Sequence, residues 1–199
     1  MLSFALAVVL LMITPGPGVL SLAGVGAAFG FKSGLRYLTG LFIGTNLVAL
    51  AVVTGLAALI LASPVIRTVL FVASTAYLLY LAWRIASAGS KVGFVAAARQ
   101  PGIRDGIALQ AINPKAYVVN TTLFSGFVLF AESYTLEVAA KFLIVNVIWL
   151  SIHFLWLWVG ASIKAMNLSD GTQRIINIGM ALAMLGVVAL ASFTALSGG

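Results

Sequence analysis

Two short stretches, nearly one hundred residues apart, hold the residues most able to do chemistry. The first is Ile112-Asn113-Pro114-Lys115-Ala116, set inside a long apolar run. Pro114 cannot donate a backbone hydrogen bond and must kink or break a helix. Lys115 puts a charge where hydrocarbon is expected, at a cost of about 2.5–3.5 kcal/mol on insertion scales. Asn113 adds an amide whose donors and acceptor all need partners. A membrane chain tolerates such a break only where the freed backbone lines a protein cavity. The second stretch is Thr14-Pro15-Gly16-Pro17-Gly18, also within an apolar run. A broken helix presents N–H groups on one side and carbonyls on the other. The N–H end suits a carboxylate and the carbonyl end an ammonium. An amino acid carries both groups. No aspartate or glutamate falls inside any apolar segment except at the segment ends, so Lys115 is a reasonable anchor for an anionic group. The plainer alternatives are a snorkelling lysine and two simple kinks.

Other polar residues fall in the apolar runs. Thr14 and Ser21 add hydroxyls near the first break. Asn146, Trp149, His153 and Trp156 recur at i, i+3, i+7 and i+10 and share one helix face. His153 is the only histidine. Either it couples transport to protons, with Lys115 as a second candidate for that role, or it is a neutral histidine bonded between helices. One histidine with no cysteine and no in-span acid makes no metal site, and no cofactor is expected. Asn46 follows the pair Gly40 and Gly44, a small-xxx-small pattern of close helix packing; it is either interhelical glue or a substrate contact. Tyr117, Asn120, Thr121 and Phe124 run along one face after the second break and, with Lys115, would line a modest polar cavity. Gly24, Gly40 and Gly44 suit internal packing or a homodimer equally well.

The elements that must position these groups follow from composition. The 199 residues are 62% hydrophobic and 8% charged, with a mean hydropathy of +1.17, far below the roughly 25% charged of soluble domains. The chain is expected to be an all-α, polytopic membrane protein lying in the lipid bilayer. Its net charge of +7 points to basic cytoplasmic loops rather than to nucleic acid. Six hydrophobic segments lie near 2–30, 38–61, 66–86, 105–130, 139–163 and 175–196, against a requirement of about 20 residues per span. The first divides into 2–13 and 19–31, the fourth into 105–112 and 116–130. No cleavable leader is evident. A basic linker, 87–104, separates repeat 1 (1–86) from repeat 2 (105–199) within one transmembrane domain. Lys32, Arg36, Arg84, Lys91, Arg99, Arg104, Lys164 and Arg174 collect on one face, and only Arg67 and Lys141 on the other, beside Glu132 and Glu137. This bias predicts a cytoplasmic linker and both termini in the periplasm. Tyr80 and Trp83 suit an aromatic anchor on the linker side. Three segments per half insert with opposite orientation, the plan of an inverted repeat, and the equal offsets between the two breaks and between Asn46 and Asn146 fit that plan.

Thr14-Pro15-Gly16-Pro17 and Asn113-Pro114-Lys115-Ala116, with a length near 200 residues and six hydrophobic segments, resemble the paired motifs of the LysE/RhtB superfamily of amino-acid exporters. The resemblance covers the whole chain. It implies export of amino acids or related metabolites across the bacterial inner membrane, driven by protons, with Pro15, Gly16, Pro17, Asn113, Pro114 and Lys115 at the central site. The lack of in-span acids leaves nothing to hold a cationic side chain, which favours small neutral or hydroxylated amino acids as cargo. A different solute, whether a basic amino acid, an organic metabolite or an ion, is the alternative. No Gly-x-Ser-x-Gly elbow, histidine cluster or paired carboxylate points to an enzyme.

Overall fold

The computed structural model describes residues 1–13, 16–87, 100–166 and 168–197. Among the described residues there are nine α-helices and no strand. They are α1 (Leu2–Ile13), α2 (Pro17–Phe29), α3 (Phe31–Val53), α4 (Leu56–Ala62), α5 (Pro64–Ala86), α6 (Ile103–Ile112), α7 (Pro114–Ser125), α8 (Tyr134–Ala165) and α9 (Asp170–Ser197). Thr14 and Pro15, and the linker residues Lys91 and Arg99, lie outside the described residues.

Proline sets three of the helix starts. Pro17, Pro64 and Pro114 each open a helix, at the position where a missing N–H loses no intrahelical bond. The first hydrophobic segment is therefore two helices, α1 and α2, bent by 54° to one another. The fourth is α6 and α7, divided at the extended residue Asn113. Several expected segments differ in extent; α8 and α9 begin before theirs, at Tyr134 and Asp170. The second starts earlier, at Phe31, and α3 stops at Val53, because Gly55 takes a left-handed conformation (φ 79°) that ends a helix readily. The fourth stops at Ser125 rather than near 130. Glu137 there accepts from the N–H groups of Leu129 (2.7 Å) and Phe130 (2.5 Å) and draws the chain out of helical register.

The exterior is more apolar than parts of the interior. On α8, Leu143, Val147, Leu155 and Trp158 are exposed, whereas Lys141, Trp149 and His153 are buried. Such an exterior needs lipid. Helices α3, α5 and α8, of 23, 23 and 32 residues, are long and apolar enough to cross a bilayer, and the bent pair α1–α2 meets the same measure when taken as one broken span. The chain is an all-α, multi-pass membrane protein.

The helices interleave across the middle of the chain. The most extensive pairings are α2 with α8, α3 with α6, and α5 with α9, each joining an element before residue 87 to one after residue 102. Glycines permit the close approaches. A Cβ at Gly40 would stand 2.1 Å from the Ile103 carbonyl oxygen, and one at Gly160 2.2 Å from that of Ala23. Gly24 and Gly44 face Ile85 and Gln110, so the small residues of α2 and α3 serve packing within the chain.

Candidate functional site: a cavity between two helix breaks

The two breaks meet. Gly16 is the N-cap of α2 and carries no side chain to cap the helix. Lys115, in the first turn of α7, lies directly against it: a Cβ built at Gly16 would stand 2.8 Å from Lys115 Cδ and 3.0 Å from Nζ. Only glycine leaves room for the lysine stem to cross the gap. Asn113 caps α7, its Oδ1 accepting from the Lys115 N–H (3.1 Å) and its Nδ2 donating to Gln110 Oε1 (3.1 Å). The N-cap role explains asparagine at this position, and the second bond ties the end of α6 to the start of α7.

Between the breaks lies a cavity of about 60 Å³, room for a handful of water molecules at roughly 10–15 Å³ each. Its polar wall is Thr45 of α3, Gln110, Asn113, Lys115, Asn120 and His153. Its apolar wall is Leu11, Met12, Val19, Val119 and Trp149. His153 stacks on Trp149 with ring centroids 3.5 Å apart, and its Nδ1 lies 2.8 Å from the Trp149 carbonyl oxygen. A carbonyl only accepts, so Nδ1 carries the proton. In the neutral ring Nε2 is then an acceptor, and it points to the Gly18 side of the cavity. The positive ends of two helices, α2 and α7, thus face one small space together with a lysine.

The predicted residues divide. Gly16, Asn113, Lys115 and His153 border the cavity, as does Asn120. Pro17 and Pro114 shape the backbone on either side. Asn46 and Asn146 are engaged with each other and do not border it. Tyr117 donates to the Ala111 carbonyl (2.8 Å) and packs with Val48 and Ala57 instead, and Thr121 is exposed. Ser21 is buried behind Gly18, donating to its carbonyl (2.9 Å) and accepting from the Tyr37 hydroxyl (3.2 Å). Thr45 and Gln110 were not expected. The buried stripe Tyr37, Leu41, Gly44, Thr45 and Val48 on α3 is the signal that could have found Thr45.

Two of the topology charges are not loop charges. Lys141 is 1% exposed and Arg84 4% exposed. Arg84 donates to the Tyr80 hydroxyl (3.2 Å) and lies over the Phe29 and Tyr80 rings, while Trp83 beside it is exposed.

A cavity walled by helix breaks, inside a bundle with an apolar exterior, is the arrangement of a membrane translocator. The chain belongs to the LysE type translocator family, whose model matches residues 9–193. It is also similar to cysteine/O-acetylserine efflux proteins of Salmonella choleraesuis and Salmonella typhimurium, 32% identical over 118 residues, which is 59% of this chain and 60% of theirs. A leucine efflux protein of Klebsiella pneumoniae is 26% identical over 195 residues, 90% of this chain and 92% of that protein. The aligned stretch thus spans less than two thirds of the cysteine/O-acetylserine efflux proteins. No solved structure matches the chain.

Proposed function

We propose that this protein is a secondary exporter of small neutral or hydroxylated amino acids across the bacterial inner membrane, with the cargo held between the two broken helices. The observation that carries this reading is the approach of Lys115 to Gly16 at the facing N-terminal ends of α2 and α7. A cargo carboxylate meets the ammonium and two helix N-termini there. The apolar wall around Met12, Val119 and Trp149 receives the side chain. No acid lines the cavity among the described residues, which disfavours a cationic side chain. The names of the relatives, efflux proteins for cysteine, O-acetylserine and leucine, support a neutral cargo.

The same reading takes the chain as six spans: α1 with α2, α3, α5, α6 with α7, α8 and α9. Residues 1–86 and 105–199 form two inverted repeats. The pairing pattern supports this. Exchanging the first, second and third segments for the fourth, fifth and sixth turns the α2–α8 contact into that of the fourth segment with α3, and returns α5–α9 to itself. With Lys141 and Arg84 set aside as buried, the remaining basic residues still favour a cytoplasmic linker and periplasmic termini. Proton coupling falls to His153 or Lys115, the titratable groups on the cavity wall.

Counterflow of labelled amino acids in proteoliposomes tests the proposal. Exchange of neutral amino acids, with lysine and arginine excluded, is expected. Exchange of basic amino acids alone, or of none, rejects it.

A further inference from the structure

The half-helices α2 and α7 have their starts at the cavity, and their far ends are held by the same helix. At the far end of α7, Lys141 of α8 donates to the carbonyls of Phe124 (2.9 Å) and Phe127 (2.6 Å) and pairs with Glu137 at 2.7 Å. Glu137 in turn holds the Leu129 and Phe130 N–H groups. The Lys141 ammonium also lies over Phe4 of α1, which packs edge-on against Phe127. At the far end of α2, Lys164 of α8 donates to the Ala28 carbonyl (3.1 Å), and Gln173 of α9 to that of Ala27 (3.1 Å). The carbonyls of Phe124, Ala27 and Ala28 belong to last helical turns, which have no intrahelical donor of their own. Cations are favoured there by the helix dipole.

Twenty-three residues of α8 separate the two lysines, about 35 Å along a helix. That matches a hydrocarbon core of about 30 Å. One lysine therefore stands at each face of the membrane. Helices α2 and α7, of 13 and 12 residues, are each about 20 Å long and reach from one face to the cavity.

We propose that Lys141 and Lys164 are positioning residues for translocation. Each locks the outer end of one half-helix, and the two locks open in turn. A half-helix this short moves as a unit. Releasing Lys141 frees α7 and the loop at 126–133, swings the end that bears Lys115, and opens the cavity to the Lys141 face. Releasing Lys164 frees α2, moves Gly16, and opens the cavity to the linker face. Both locks are engaged in this structure. Alternating access requires that one lock hold while the other is open. This rests on the six-span reading, which sets the two lysines on opposite faces.

The chain has no cysteine, so Val119→Cys places one unique thiol on the cavity wall. Its labelling by a membrane-impermeant maleimide, compared between right-side-out and inside-out vesicles, reads which face the cavity opens to. Lys141→Met, and the milder Glu137→Gln, are expected to shift the ratio of the two rates toward the Lys141 face. Lys164→Met, and the milder Gln173→Ala, are expected to shift it toward the linker face. The expected size is about tenfold, the scale of one hydrogen bond to a charged group. Lys164→Arg keeps a cationic donor at an exposed position and should stay near the parent ratio. Should the methionine variants fail to fold, the milder pair decides. An unchanged ratio, or a shift of both ends in the same direction, makes the lysines plain helix caps and overturns the assignment. The labelling uses no cargo, so its failure is distinct from a failure of the amino-acid reading, which counterflow reports.

Discussion

Asn46 and Asn146 donate to each other across α3 and α8, Nδ2 to Oδ1 in both directions, at 3.1 and 2.9 Å. The Asn46 amide also donates to the Phe42 carbonyl one turn back (2.8 Å). Two amides so engaged join α3 to α8 and have little left for a cargo. Single changes, Asn46→Leu or Asn146→Leu, are expected to cost about 1 kcal/mol, since each strands one amide among apolar neighbours. The double change should cost no more than either alone. Thermal unfolding in detergent measures this, and the KM for counterflow is expected to stay unchanged in all three.

Gly16→Ala should separate folding from function. The added Cβ collides with the stem of Lys115, a long side chain that can swing aside. The protein is expected to fold, with its ammonium displaced and its exchange rate well below wild type. Gly18→Ala is the control, because its Cβ would meet His153 and Gln110 at ordinary distances of 3.6 and 3.7 Å. Equal exchange in the two variants would mean that the position of Lys115 is unimportant.

Gly160→Ala and Gly106→Ala press on backbone rather than on a movable side chain. Their Cβ atoms would lie 2.2 Å from the Ala23 carbonyl oxygen and 2.5 Å from that of Tyr37. Each is expected to lose roughly 1–3 kcal/mol by overpacking. Gly179, with nothing within 4 Å, should accept alanine with no loss. Unfolding midpoints of the three variants check the contrast.

The breaks were legible because proline has few places in a helix. Pro17 and Pro114 had to kink or break their helices, and Asn113 before proline is a natural cap. The cavity wall was harder to read. Asn46 is the one amide of its segment, yet its neighbour Thr45, about 100° round the helix, faces the cavity. Gln110 reaches it only because α6 lies tight against Gly44, a contact between distant segments. Lys141 read as a face charge. The local signs of its burial were Glu137 one turn earlier and Ser133, whose side chain accepts from the Leu136 N–H and starts α8 well before the expected span.

His153→Gln tests the coupling. The change keeps a polar side chain at the wall and removes the imidazole Nε2, the acceptor that takes the proton in this reading. If His153 carries the proton, the variant should retain counterflow and lose acceleration by an imposed pH gradient. Acceleration equal to wild type would leave His153 as a packing residue stacked on Trp149 of its own helix.

The central claim is that the Lys115 ammonium holds the cargo carboxylate, and export by Lys115→Met, normalised to folded protein in the membrane, tests it most directly. Methionine keeps most of the side-chain length and removes the charge, and insertion should become easier once no charge has to enter hydrocarbon. The account predicts a protein that folds but exports roughly tenfold to a hundredfold more slowly, the scale of a lost hydrogen bond to a charged group. Lys115→Arg should recover little, because a planar fork does not replace a compact ammonium. Export by Lys115→Met at the wild-type rate would contradict the carboxylate anchor and leave Lys115 as a packing residue beside Gly16.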